Sequence, residues 1–120
     1  MGRKLRELTE NEVTFTFELE PDETPFEGNV LASGDDEADR EQEAWTRDEL
    51  DRGNVAAWCV AIVRVTWKEY GACDVLGGCS YRSERELWAD LAGTMKSEAL
   101  DRLNETVRSH AQTLLSLVDS

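Results

Sequence analysis

Long apolar runs are absent from this chain. The densest, Val55 to Val63, is far shorter than the roughly 20 residues that cross a bilayer, which excludes a helical membrane span. An apolar signal region is missing as well. The basic start Met1-Gly2-Arg3-Lys4-Leu5-Arg6 is followed by Glu7 and Glu10, where a secretory signal needs hydrophobic residues. Arg6 stands where myristoylation of Gly2 would need Ser or Thr. Cysteine is scarce, and the three present (Cys59, Cys73, Cys79) cannot all pair within one chain, which fits a reducing compartment. The expectation is a soluble cytoplasmic protein.

Basic residues are the other shortage. Residues 18–51 carry fourteen carboxylates against only Arg40 and Arg47, a net of −12 out of the whole chain's −13. Like charges repel and raise the free energy of a compact state, so a fold alone gives no reason to cluster them. Such a field would repel nucleic acid and anionic membrane and attract basic protein surfaces. The competing explanation is solubility or halophilic adaptation, which predicts acid spread evenly over the surface.

What remains is ample for a fold. The 120 residues, 40% hydrophobic and with four tryptophans, suffice for one domain with its own core. The polar lead-in 1–11 can fray or form a short helical turn. Val13-Thr14-Phe15-Thr16-Phe17-Glu18-Leu19 alternates apolar and polar, predicting a strand over about 13–19. Pro21 and Pro25 close it, and Phe26 to Leu31 reads as either a short strand or an ordered loop.

Ser33 as N-cap, with Asp36 three residues on, predicts an acidic helix over about 34–52 that ends at Gly53. Its apolar face is thin, formed by Ala38, Trp45, Ala44 and Leu50. Asn54 to Lys68 and Ala72 to Tyr81 predict a central hairpin over about 55–81 with its turn at Glu69-Tyr70-Gly71. Gly77-Gly78 marks a bulge or a close backbone approach. A second capping box, Ser83 with Glu86, opens a helix over about 84–92, which Gly93 stops. A last helix, about 95–118, carries the stripe Leu100, Leu103, Val107, His110, Leu114 and Leu117. The fold class expected is α+β: an antiparallel sheet packed by helices.

Catalytic and metal signals are weak. Cys59, Cys73, Cys79 and His110 are zinc-type ligands without a knuckle spacing. His110 sits on the apolar stripe and reads as a core or interface histidine rather than a partner for a thiol nucleophile. Asp35-x-Glu37-x-Asp39-x-Glu41 alternates oxygen ligands, yet it lacks the central glycine and final glutamate of a calcium loop. Gly77-Gly78 is followed by no Lys-Ser/Thr to hold phosphate. Trp45, Trp58, Trp67, Tyr70 and Tyr81 can form core or a binding surface. No cofactor, metal or catalytic residue is expected.

The run Gly53-Asn54-Val55-Ala56-Ala57-Trp58-Cys59-Val60, followed by Tyr70-Gly71-x-x-Asp74-x-Leu76-Gly77-Gly78-Cys79-Ser80-Tyr81-x-Ser83-Glu84, resembles small acidic proteins of phages and other mobile elements. In size and acidity the chain is also similar in style to anti-CRISPR and anti-restriction inhibitors that mimic DNA. That resemblance implies a non-catalytic inhibitor acting in the host cytoplasm on a basic nucleic-acid-binding protein. The expected contact residues are Glu20, Asp22, Glu23, Glu27, Asp35, Asp36, Glu37, Asp39, Glu41, Glu43 and Asp48. Rows such as Asp35–Asp39–Glu43 and Glu37–Glu41 would imitate phosphates. The alternative is an adaptor that self-associates as a homodimer through the C-terminal helix, its acid serving solubility.

Overall fold

A computed structural model describes residues 6–29 and 35–118. The architecture is α+β, a three-stranded antiparallel sheet with two helices. The strands are β1 (Thr14–Pro21), β2 (Cys59–Trp67) and β3 (Tyr70–Cys79), in the order β1-β2-β3. The helices are α1 (Asp36–Asp51) and α2 (Glu84–Val118). Contacts divide the chain into two compact units, and β1, β2, β3 and α2 each contribute residues to both.

The first unit comprises Met1–Thr16, Val63–Asp74 and Thr94–Ser120. Val63 and Val65 of β2 are fully buried, as are Ala99 and Leu103 of α2, with Met95 nearly so. The lead-in does not fray over residues 6–13. Leu8 is buried, and its backbone N–H and C=O both bond the Asn104 side chain, at 2.7 and 3.1 Å. A 3-10 turn at Glu10–Glu12 follows, with Glu12 accepting from the Thr9 N–H at 3.1 Å and pairing with Arg6 at 2.6 Å. The bonds from Arg6 and Thr9 lower the Glu12 carboxyl to about 2.

The hairpin turn falls on Lys68-Glu69, with Lys68 in the left-handed region (φ 53°). Strand β3 therefore begins at Tyr70, two residues earlier than expected. Tyr70 stacks on Trp67 at 6.0 Å and hydrogen-bonds His110 through its hydroxyl. His110 is exposed, so the core-histidine expectation is corrected. The stripe on α2 is buried at Leu103 and half-buried at Leu100 and Val107, whereas Leu114 and Leu117 are exposed.

The second unit comprises Phe17–Ile62 and Val75–Gly93. Its buried residues are Thr46, Ala56, Ala57, Trp58, Cys59, Ala61, Ile62, Cys79 and Leu87. Helix α1 starts later than the sequence suggested. Asp35 is its N-cap, accepting from the N–H groups of Glu37 and Ala38 at 3.1 and 3.2 Å. Ser33 lies outside the described residues, as do positions 30 and 31 of the segment expected to be strand or loop. Residues 27–29 of that segment form a turn. Gly53 ends α1 at φ +90°, as expected of a C′ glycine.

The apolar run after Gly53 is not strand at its start. Val55–Ala57 form a 3-10 turn, because Ala57 N–H bonds Asn54 C=O and Trp58 N–H bonds Val55 C=O. The Asn54 side chain holds that turn by donating to Arg82 C=O at 2.9 Å. Only from Cys59 onward is the backbone extended.

The two C-terminal helices expected at about 84–92 and 95–118 are one continuous helix. Leu87, Met95, Ala99 and Leu103 are buried at multiples of four residues, with Leu91 half-buried between them. That register runs through Gly93-Thr94, both exposed. Gly93 therefore weakens α2 without ending it. A methyl group there would meet no atom within 4 Å. Gly93→Ala is expected to raise the unfolding free energy by about 0.5–1 kcal/mol in urea denaturation.

Candidate functional site

The acidic segment lies wholly in the second unit, so its residues can be placed against one another. At 100° per residue, α1 sorts into two sides. The half-buried side holds Ala38, Asp39, Gln42, Glu43, Trp45, Glu49 and Leu50 around buried Thr46, whose hydroxyl donates to Gln42 C=O at 2.9 Å. The exposed side holds Asp36, Glu37, Arg40, Glu41, Ala44, Arg47, Asp48 and Asp51. Ala44 was expected inside and is outside. Thr46 was not foreseen as the buried centre.

This geometry breaks one expected row and extends another. Asp35–Asp39–Glu43 is not a free ridge. Asp35 caps the helix, Asp39 is half-buried, and Glu43 accepts the Gly28 N–H at 2.7 Å. Glu37–Glu41, however, continues to Asp48, whose direction on the helix falls between theirs, with no basic residue on the line. The row spans about 16 Å at 1.5 Å per residue. Beside it runs a mixed line, Asp36, Arg40, Arg47 and Asp51, in which charge is partly cancelled.

The preceding loop is bound to α1. Glu27 pairs with Arg47 at 3.3 Å, and the Arg47 guanidinium lies 5.4 Å from the Phe26 ring centroid. Asp22 is occupied internally: its carboxylate accepts from Gly78 N–H at 2.7 Å and Thr24 N–H at 2.9 Å. Gly77-Gly78 is thus a close backbone approach, with Gly78 at φ +67° and a Gly77 Cβ falling 3.4 Å from the Asp22 carboxylate. The Asp22-Glu23-Thr24 step bears the sequence mark of a side-chain turn, a signal that could have shown Asp22 to be structural. Glu20 and Glu23 remain exposed. Of the eleven expected contact residues, then, Asp22, Glu27, Asp35 and Glu43 serve the fold.

The backbone donors of Gly78 and Thr24 hold the Asp22 carboxyl below its ordinary value. A depressed folded pKa contributes stability above the unfolded value near 3.8, and that contribution is lost as pH falls through the folded one. Melting temperature should therefore drop on acidification below about pH 4, and Asp22→Asn should flatten that limb. An unchanged acid limb in Asp22→Asn would show that the carboxylate is not coupled to folding.

The thiols offer little chemistry. Cys59 and Cys79 are buried, and burial foremost pushes Cys59 up to about 12 and raises Cys79. Protonated thiols are poor nucleophiles and poor metal ligands. Among the described residues no group of three or more His, Cys, Asp or Glu side chains is arranged to hold a metal ion. No helix among them is long and apolar enough to cross a membrane. Comparison with protein-family models, curated proteins and solved structures finds no match, so the geometry alone carries the functional reading.

Proposed function

We propose that this chain is a non-catalytic binding protein that occupies the basic nucleic-acid-binding surface of another protein by imitating a polynucleotide backbone. The anti-defence inhibitors of phages and mobile elements, which block CRISPR or restriction nucleases in the host cytoplasm, are the class it fits. The single observation behind this reading is the row Glu37, Glu41 and Asp48, exposed on one line of α1. On its other sides α1 is packed at fully buried Thr46 and tied to the Gly28 N–H through Glu43, so the carboxylates are carried on a fixed scaffold. Over about 16 Å one DNA strand presents about five phosphates. The row supplies three carboxylates and imitates a subset of them.

The test is mutual exclusion. A labelled duplex is bound to each of a panel of CRISPR effector complexes and restriction nucleases, and the protein is titrated in while anisotropy is followed. Displacement of the duplex from a member of the panel, with no binding of the protein to the duplex itself, is the expected result. Simultaneous binding of both, or no effect on any member, contradicts it.

A second reading has one observation in its favour. Ser109 to Val118 contain no Asp, Glu, Lys or Arg, and Leu114, Leu115 and Val118 are 50%, 54% and 78% exposed. A second copy of so acidic a chain would meet least repulsion there. Light scattering across a concentration series, with Leu115→Glu as the control, separates a dimer from a monomer.

A further inference from the structure

Beside the acid row the second unit contains a cavity of about 290 Å³, lined by Gln42, Trp45, Ser80, Tyr81, Arg82 and Glu86. Gln42 and Trp45 come from the half-buried side of α1, and Trp45 lies one turn beyond Glu41. We propose that this cavity receives an arginine side chain of the basic partner, a role that rests on the binding function proposed above.

The chemistry of the lining points to guanidinium. Trp45 and Tyr81 are both half-buried and supply aromatic surface, to which cations are attracted. Tyr81 is held in place by its hydroxyl, which donates to the Asp90 carboxylate. Ser80 Oγ is buried and has no hydrogen-bond partner among the described residues. That oxygen is closed off from the cavity, which Ser80 lines through its other atoms. Gln42 adds an amide oxygen that can accept.

Glu86 supplies the charge. Only half of the expected capping box forms: Glu86 N–H donates to Ser83 Oγ at 3.1 Å. Glu86 itself is exposed and lines the cavity. Arg82 at the same site is exposed and works against any cation. Glu86, together with the Glu41 and Asp48 carboxylates of the neighbouring row, outnumbers it. A planar guanidinium can stack on an aromatic ring while its in-plane N–H groups reach Gln42 and Glu86, and it is more weakly hydrated than an ammonium. An anionic ligand would have to approach through the most negative part of the molecule.

The test uses the intact chain with N-acetyl-arginine amide as the probe and N-acetyl-lysine amide as its comparison. Nitrogen-proton correlation spectra should show shifts confined to the Trp45 indole, Gln42, Ser80 and Glu86. Arginine should saturate at a concentration about tenfold lower than lysine. Glu86→Gln, which leaves the aromatic surface in place, should weaken arginine binding several-fold. Equal responses to the two probes, or shifts spread along all the acidic residues, would overturn the pocket.

In the effector assay the two ideas separate. If reversing the acid row abolishes inhibition while Glu86→Gln does nothing, mimicry stands and the pocket falls. If the probe binds selectively but row reversal leaves inhibition intact, the pocket stands and mimicry falls.

Discussion

Trp58→Ala is expected to lower the unfolding free energy by about 3–5 kcal/mol, the range for deleting a large buried aromatic. Trp58 is 4% exposed and sits between the 3-10 turn and β2. Its indole N–H donates to Thr24 C=O at 2.6 Å, and its own C=O accepts the Asp22 N–H at 3.4 Å. The ring also lies against Gly78, where a Cβ would sit 3.6 Å from Trp58 Cη2. One side chain therefore fills the core of the second unit and fixes the acidic loop. Trp58→Phe keeps most of the volume but removes the donor from Thr24, and should cost about 1–3 kcal/mol. Urea unfolding followed by circular dichroism checks both. A loss below about 1 kcal/mol for Trp58→Ala would mean that the ring is not the anchor.

On the proposed function, joint reversal of the row, Glu37→Lys with Glu41→Lys and Asp48→Lys, should weaken binding to an effector whose duplex the protein displaces by about 100-fold or more, because attraction becomes repulsion at three points. All three side chains are exposed, so the helix content and melting temperature should change little. Glu43→Lys behaves differently. It breaks the bond from Gly28 and should loosen the loop through stability rather than through a lost contact. Asp36 stands on the mixed line with Arg40 and Arg47, and its reversal should have a smaller effect on affinity. Equal losses at Asp36, Glu43 and the row would indicate a response to bulk charge alone.

The alternation of Val13 to Leu19 marked β1, and the apolar run after Gly53 marked β2 as the first strand of the hairpin. Both signals depend on local period, which survives folding. The beginning of that run was misread because a short apolar stretch suits a buried turn as well as a strand. Asn54 decided the matter by bonding Arg82, a contact distant in sequence. Gly93 looked like a stop because propensity is local, yet the register Leu87, Met95, Ala99 and Leu103 carries α2 through it. The concentration of acid was plain in the sequence. Which carboxylates face outward was not, since the loop that claims Asp22 and Glu43 is fixed by the N–H groups of Gly78 and Gly28. Arg47 likewise read as a stray counter-charge, although it clamps Glu27 and Phe26.

An effector that yields its duplex to this protein provides the decisive measurement, which is its affinity for the protein as a function of salt from about 0.05 to 0.5 M. Intact protein should lose affinity steeply, and Glu37→Gln with Glu41→Gln and Asp48→Gln should flatten that slope. Identical slopes for the two proteins would contradict the claim that this row of carboxylates stands in for a nucleic-acid backbone.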